Sequence, residues 1–414
     1  MNHQRNQMTD NIEFFAEFAA HTRLKHRILD AYTMAWAMKL LMWRGAGENL
    51  YIVDAFAGEG TDESGNVGSP IIIARNALKA MTAAKAGAIA SPRVHVIVIE
   101  KSKKRFDALT KKTLAFQQKF PGMITLLHGE LSEHIDDIIS GASGAPTFYF
   151  LDPFGIKGLD AATYPKALAG AHNEIFALFN GLGASRLHAQ IVTEPKSADA
   201  AIARIRESPS LFAADDDSAI EIAQRRAEQS NNALEVSAPY SRQHLIRALG
   251  RADCIDIATE VAPSQRADTF LQLFRAALEQ SGARSFVTLP MRDDTGILKY
   301  SLVHASKSVK GTVAMKAAIS SGLKQTDMAS DTAAAMRRDL SVPLNALVDT
   351  LAAAYRGRSV RWTDEGQAAG LGSVILAYIP IFQFQMPELK ATLKKAGYMQ
   401  RVSGREICVF PEVT

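Results

Sequence analysis

The segment from Tyr51 to Gly60 constrains the fold of this chain more than any other part of the sequence. An apolar run ends in Asp54, and a Gly-x-Gly turn follows at Gly58 and Gly60 and leads towards a helix. This order is typical of a parallel β-strand that opens onto a nucleotide, because glycines let the backbone approach the ligand and a helix N-terminus lies ahead. The segment therefore predicts a nucleotide-binding α/β fold.

Further apolar runs downstream repeat this pattern. Strands are predicted at Val94–Glu100, Thr125–Glu130, Thr147–Asp152 and Glu174–Asn180. Continuous apolar runs without alternation indicate strands that are buried on both faces of a parallel sheet, and in such sheets ligands bind at the carboxyl ends. The polar residues at the predicted strand ends are Asp54, Glu100, Glu130, Asp152 and Asn180. The alternative is that polar residues here simply begin loops.

The spacing favours S-adenosylmethionine over a nicotinamide dinucleotide. Glu63 stands where a pyrophosphate-binding turn has its third glycine, and Glu100 lies far beyond the usual distance of about 20 residues for a ribose-binding acid. A helix that begins at Pro70, with Ser69 as its N-cap, separates the two elements. Asp54 and the glycine turn are expected to face the methionine moiety, and Glu100 the ribose hydroxyls. The predicted cofactor-binding residues are Asp54, Phe56, Gly58, Gly60, Glu100, Gly129 and Glu130, with the last two at the adenine edge.

A hairpin near residue 290 supports the same fold. Arg284–Pro290 and Ile297–His304 flank the turn residues Asp293–Gly296, which predicts two antiparallel strands. An antiparallel last strand on a parallel sheet is typical of class I methyltransferases. We therefore predict a Rossmann-like methyltransferase domain over residues 1–325, with a helical insertion at about 191–265. Arginines of this insertion, Arg247 among them, face either a polyanion or solvent.

Residues 339–414 are predicted to form a winged-helix domain. Val342–Tyr355 is an amphipathic helix, Thr363–Glu365 opens a second, and Met386–Ala396 is a third, followed by a tight hairpin. Basic residues lie on the last helix and the wing: Lys390, Lys394, Lys395, Arg401 and Arg405. They indicate contact with DNA or RNA. The alternative is a module for protein docking or dimerisation.

Several segments resemble the three-Cys-motif partner proteins, a bacterial family with a methyltransferase-like fold. The segments that carry the resemblance are His21–Tyr32 with Trp36, Tyr51–Gly60, Gly68–Pro70, Leu151–Gly155, Tyr300–Ser306, Gly311 and Met315. The resemblance implies the fold, S-adenosylmethionine as cofactor, and a separate three-Cys protein as partner. This chain has no three-Cys site of its own, since its cysteines are Cys254 and Cys408.

The turn that begins at Asp152 is the candidate for chemistry. It is similar to the Asp/Asn-Pro-Pro-aromatic turn of amino-group methyltransferases, in which the first side chain and the proline carbonyl accept hydrogen bonds from the target amine. By that likeness Asp152 and Pro153 hold the amine, and Phe154 stacks on a flipped base. The sequence departs from the motif, because Phe154 replaces the second proline and Gly155 the aromatic residue. The alternative is a turn that only ends the strand.

Two further residues are predicted at the mouth of the site, Lys25 and Asn180. Lys25 shares a helix face with His21 at i,i+4 spacing, and by resemblance the pair lines the mouth; the alternative is a surface pair. The two cysteines have neither disulfide nor metal spacing, so no metal is assigned.

Composition agrees with a soluble, cytoplasmic enzyme that is not a membrane protein. The chain has 414 residues, a formal net charge of +4 and 47% hydrophobic residues. The sequence predicts methyl transfer from S-adenosylmethionine, with a nitrogen of a nucleic-acid base as acceptor. One alternative is an accessory partner of a three-Cys protein in mobile-element or phage-defence biology, and another is a different reaction in the same pocket.

Overall fold

A computed structural model describes residues 2–44, 49–61, 65–87, 89, 91–192, 238–292, 298–325, 330–362 and 370–412. The strands are β1 Asn49–Asp54, β2 Arg93–Glu100, β3 Ile124–His128, β4 Thr147–Leu151, β5 Glu174–Phe179, β6 Ser285–Arg292, β7 Leu298–Ser306, β8 Ser359–Arg361, β9 Met399–Val402 and β10 Arg405–Val409.

Helices alternate with the first five strands, a group of helices separates β5 from the hairpin of β6 and β7, and further helices follow that hairpin. They are α1 Asn2–Arg44, α2 Ser69–Ala86, α3 Lys103–Lys119, α4 Leu131–Ala142, α5 Tyr164–Ala167, α6 Gly181–Val192, α7 at 238–249, α8 Cys254–Thr259, α9 Arg266–Gln280, α10 Val309–Lys324, α11 Ser330–Asp339, α12 Leu344–Ala354, α13 Leu371–Tyr378 and α14 Met386–Lys395.

The central sheet has seven strands in the order β3-β2-β1-β4-β5-β7-β6. Strands β1 to β5 pair in parallel, whereas β7 runs antiparallel to both β5 and β6. The predicted mostly parallel sheet with an antiparallel last strand is therefore confirmed. The carboxyl ends of β1 and β4 are neighbours in this order, which brings the residues after them to one edge.

Both faces of the sheet are buried, which explains why the strands lack alternation. In β1, Ile52 belongs to the hydrophobic cluster on one face and Val53 to the cluster on the other. Side chains of α1, α2 and α10 cover the first face, and those of α4, α6 and α9 cover the second. Continuous apolar strands are the expected result of such two-sided burial.

The start of α2 differs from the prediction. The N-cap is Gly68, not Ser69, and Pro70 lies in the first turn of the helix. Ser69 is itself the first helical residue, and its hydroxyl bonds the Asp54 carboxylate instead of capping the helix. Ser69 is thus one residue too late in the chain to be the N-cap.

Some predicted features lie outside the described residues. These are the hairpin turn Asp293–Gly296, the helix start at Thr363–Glu365, residues 193–237 of the insertion, and Glu63. The described part of the insertion is helical, with α7 packed into the core through Leu245 and α8 through Ile255.

The C-terminal region combines α12, α13 and α14 with an antiparallel sheet in the order β8-β10-β9. The predicted hairpin is confirmed, and its turn places Ser403 and Gly404 at positive φ. This region packs on α10, where the buried Lys316 donates to the carbonyls of Leu376 and Ile379 at 2.7 and 2.6 Å. Among the described helices, none has the length and apolar character needed to cross a membrane.

Candidate functional site

The glycine turn after β1 folds back towards the start of α2. Gly58 and Gly60 have φ of +64° and +81°, and the Gly68 N–H donates to the Gly60 carbonyl at 2.8 Å. A Cβ on Gly68 would lie 3.1 Å from that carbonyl oxygen, so the close approach favours glycine. The turn thus has the left-handed backbone that glycine permits, at the carboxyl edge of the sheet.

Asp54 is a buried carboxylate at the centre of this edge. Its side chain is 0% exposed, the Phe56 N–H donates to Oδ1 at 3.3 Å, and Ser69 supplies a further hydrogen bond. Burial raises its pKa to about 7, and the charge of Asp152 adds to the rise. Within the described residues Oδ2 has no hydrogen-bond partner. An ionisable group with a raised pKa and an unsatisfied buried atom is typical of a functional site.

Lys25 and Asp152 form an ion pair beside Asp54. The Lys25 ammonium donates to Asp152 Oδ2, and the two side chains are 11% and 17% exposed. The alternative that Lys25 belongs to a surface pair is therefore wrong, because α1 packs it inward against the carboxyl end of β4. Lys25, the predicted mouth residue, is therefore in direct contact with Asp152, the candidate catalytic acid. The two are 127 residues apart in the chain.

Glu100 links the glycine turn to the loop after β2. Gly58 N–H donates to its Oε2 at 2.9 Å, and Ser102 N–H donates to its Oε1 at 2.7 Å. The carboxylate is buried. Each oxygen keeps a second lone pair for a ligand hydroxyl, so Glu100 both orders the two backbone segments and remains able to accept.

Phe56 joins the two turns of the site. A Cβ on Gly158 would lie 2.5 Å from Phe56 Cε1 and 3.0 Å from Pro153 Cβ, so the Phe56 ring and Pro153 meet over this glycine. Pro153 is buried, whereas Phe154 is 97% exposed at the tip of the turn. An aromatic ring with this exposure is available to stack on a ligand.

Gly129 and Glu130 lie where β3 leads into α4. A Cβ on Gly129 would lie 2.1 Å from Glu133 Oε2, which explains the glycine. Glu130 is paired with Lys101 at 2.5 Å and with Arg247 at 3.0 Å, and the hydrogen bond from Lys101 lowers the pKa of Glu130. A small pocket beside it is lined by Phe56, Leu151, Gly158 and Tyr164 among others.

Arg247 is a site-edge residue that the sequence did not identify. Its guanidinium joins Glu130 to Asp160, at 3.0 Å from each, and so fastens α7 to the edge of the site. The two expectations for this arginine, a polyanion face or a solvated one, named neither of these partners. The signal in the sequence for these ion pairs is only that Glu130 and Asp160 are acidic and Arg247 is basic. The tertiary fold decides that the three lie close together.

Asn180 lies at the same edge and caps a helix. Its side-chain oxygen accepts from the Gly183 N–H at 2.6 Å, at the start of α6. That oxygen accepts one hydrogen bond in the N-terminal cap and keeps a second lone pair, so both it and the amide NH₂ are able to meet a ligand. Its place at the carboxyl end of β5, next to β4, follows from the strand order.

The basic residues of the C-terminal region are mostly exposed. Lys394, Lys395, Arg401 and Arg405 lie on the surface. Lys390 is different, because it pairs with Glu406 of β10 at 2.5 Å. That pair fixes α14 to the wing and neutralises one of the five charges expected to meet nucleic acid.

Comparison with known proteins assigns the chain to no family. No protein-family model matches the sequence, and no curated protein matches it. Among solved structures, an O-methyltransferase from Bacillus cereus in complex with SAH has 14% identity and a TM-score of 0.30, over 66% of this chain and 80% of that chain. A putative O-methyltransferase from Klebsiella pneumoniae has 10% identity and a TM-score of 0.29, over 70% and 90%.

A putative caffeoyl-CoA O-methyltransferase from Staphylococcus aureus is similar at 8% identity and a TM-score of 0.27, over 66% of this chain and 82% of that chain. Similarities of this size carry no argument about the fold. The description of the fold as methyltransferase-like rests on the strand order of the central sheet. The resemblance to three-Cys-motif partner proteins stays a prediction.

Proposed function

We propose that this chain binds S-adenosylmethionine at the carboxyl edge of its sheet and transfers the methyl group to a nitrogen of a nucleic-acid base. The observation that carries the proposal is the glycine turn beside the buried, partly unsatisfied Asp54, in a sheet of order β3-β2-β1-β4-β5-β7-β6. When bound, the cofactor supplies an electrophilic methyl group on a positively charged sulfur.

The residues at this edge fit such a cofactor. Asp54 offers an unsatisfied oxygen to the amino group of a methionine moiety, and Glu100 accepts from ribose hydroxyls. Gly58 and Gly60 let the backbone approach, and Gly129 and Glu130 border the adenine. Acids and glycines at strand ends are the groups that hold nucleosides in open α/β sheets.

For the acceptor, Asp152 and the Pro153 carbonyl accept hydrogen bonds from the amine, and the exposed ring of Phe154 stacks on the base. Because Lys25 is bonded to Asp152, the acceptor must share this carboxylate with Lys25 or displace it. Methyl transfer needs mainly position and alignment, which rigid strand ends provide.

Nucleic acid would be held in part by a winged-helix-like C-terminal unit through Lys394, Lys395, Arg401 and Arg405, with Lys390 committed to Glu406. A second candidate function is that of an accessory partner of a three-Cys-motif protein. The engagement of Asp152 by Lys25 favours it, since the candidate acid is then occupied within the chain itself.

Transfer of labelled methyl groups to nucleic acid tests the proposal. We expect the wild-type chain to label DNA or RNA, and Asp152→Ala, which removes the acceptor, to lose at least about 100-fold in rate while it still binds the cofactor. Cofactor binding without transfer to any nucleic acid would favour the accessory function. Unchanged transfer by Asp152→Ala would exclude the assigned role of Asp152.

A further inference from the structure

Positive charge is concentrated in residues 101–119, which comprise α3 and the two residues before it. Seven basic residues and one acidic residue give this segment a net charge of +6, whereas the whole chain carries +4. The basic residues are Lys101, Lys103, Lys104, Arg105, Lys111, Lys112 and Lys119. The rest of the chain is therefore slightly acidic in sum, although residues 390–405 of the C-terminal region also carry five basic residues and no acidic one.

The charges form a stripe on the outer side of α3. Leu109 and Thr113 face the core. Lys104 and Lys111 are seven residues apart, and so are Arg105 and Lys112. Seven residues are close to two helical turns, so each pair returns to the same side of the helix. From Arg105 to Lys119, the basic stripe runs for about 21 Å at 1.5 Å per residue.

Four of the seven basic residues form no ion pair with any residue that the structure describes, and Lys101 pairs with Glu130 at 2.5 Å. Lys103 pairs with Asp107 at 2.8 Å, and Lys112 lies 3.8 Å from Glu59. Lys104, Arg105 and Lys111 are exposed and have no ion pair with any residue that the structure describes. A helix face that is merely solvated usually mixes both signs of charge at i,i+4 spacing, and α3 does so once.

The stripe begins at the candidate site. Ser102, directly before α3, donates its N–H to Glu100, and Lys112 Nζ bonds the Thr61 carbonyl of the glycine loop at 3.2 Å. A polyanion that lies along α3 would therefore pass the mouth of the site. Leu114 is the large apolar side chain that α3 exposes, so this face has little to insert into a membrane.

We propose that the basic stripe of α3 binds the phosphate backbone of a nucleic acid. Duplex DNA carries about one negative charge per 1.7 Å of axis, so a 21 Å stripe spans enough phosphates for all of its cations. Such contacts position the polymer and carry no sequence information. The inference rests on the proposed function in one respect, namely that the bound nucleic acid is the methyl acceptor.

Salt-dependent binding of a 20-base-pair duplex and of a single-stranded RNA of equal length tests this surface. The test variant is Lys104→Gln/Arg105→Gln/Lys111→Gln. The matched control is Lys79→Gln/Lys85→Gln/Lys310→Gln, which removes the same charge from exposed positions on α2 and α10. We expect the test variant to lose roughly 10- to 100-fold in affinity at 100 mM salt and about 2–3 in the slope of log K against log salt, while the control stays within about threefold of wild type.

Equal losses in both triple variants would overturn the proposal, and so would binding to anionic phosphatidylserine vesicles with none to either nucleic acid. S-adenosylmethionine titrations of the same proteins keep the two claims apart. Duplex binding that depends on α3 without cofactor binding would leave the basic stripe in place and refute the methyltransferase. Cofactor binding without a contribution from α3 would do the reverse.

Discussion

Asp54 lowers the stability of the folded chain near neutral pH, although it is a residue of the candidate site. Its folded pKa of about 7 exceeds its ordinary value of 3.8, because burial disfavours the charged form. Between these pH values the folded chain retains a proton that the unfolded chain has released, so the free energy of unfolding falls as pH rises from about 4 to 7. A shift of one pKa unit corresponds to about 1.4 kcal/mol. The loss of unfolding free energy that Asp54 causes between these pH values is therefore at most about 4 kcal/mol.

Asp54→Asn should therefore stabilise the free protein at pH 8 by about 1–3 kcal/mol and change little at pH 4, while it weakens cofactor binding. Urea denaturation at the two pH values measures this difference. Asp136→Asn, at an exposed position paired with Lys166, is the control and should show no such pH dependence. A stability change of equal size at both pH values would contradict the raised pKa.

The Lys25–Asp152 pair makes a second prediction at this scale. Removal of one partner leaves a charge that is mostly excluded from water, so Lys25→Met and Asp152→Asn should each cost about 1–3 kcal/mol of stability. The double variant should cost less than the sum of the two. A double-mutant cycle by chemical denaturation gives the coupling energy, and strict additivity would mean that the pair does not form in solution.

At the scale of secondary-structure elements, the sequence predicts the buried strands but not the contacts made at their ends. The runs at β1, β2, β4 and β5 were predictable because two-sided burial demands apolar residues at every position. Acids at the strand ends were visible in the sequence for the same reason, since the apolar run stops there. The partner of each acid was not predictable: Ser69, Lys25 and Arg247 reach the site from helices, and only tertiary packing decides which acid each one meets.

Helix α7 tests this point through Arg247. Arg247→Ala removes both of its ion pairs, with Glu130 and Asp160, and should raise amide hydrogen exchange over residues 238–249 by roughly tenfold. Arg251→Ala is the matched control, because Arg251 pairs with Asp253 only two residues away. If the two variants exchange alike in this segment, Arg247 does not hold α7 to the site.

At the scale of the whole molecule, the sequence indicated a C-terminal unit but not how it is attached. Lys316 of α10 is 5% exposed and donates to two carbonyls at the end of α13, and burial lowers its pKa to about 8. Nothing in its neighbourhood in the sequence distinguishes Lys316 from an exposed lysine such as Lys310. The attachment was unpredictable because both acceptors are main-chain atoms some 60 residues away.

Lys316→Met should therefore loosen the C-terminal unit without disturbing the cofactor site. We expect limited proteolysis to release residues beyond 339 at least about fivefold faster than in wild type, since two partly buried carbonyls lose their donor. Lys310→Met, at an exposed position on the same helix, should behave as wild type. Equal cleavage of both variants would show that the Lys316 contacts do not hold the unit.

Calorimetric titration of the full chain with S-adenosylmethionine tests the central claim most directly. We predict micromolar binding by wild type and by Asp152→Asn, and at least about tenfold weaker binding by Glu100→Ala, because Glu100 holds the glycine turn and is the proposed acceptor for the ribose hydroxyls. Circular dichroism of each variant verifies that it is folded. Absence of binding by folded wild-type protein, or equal binding by Glu100→Ala, would contradict a cofactor site at this edge of the sheet.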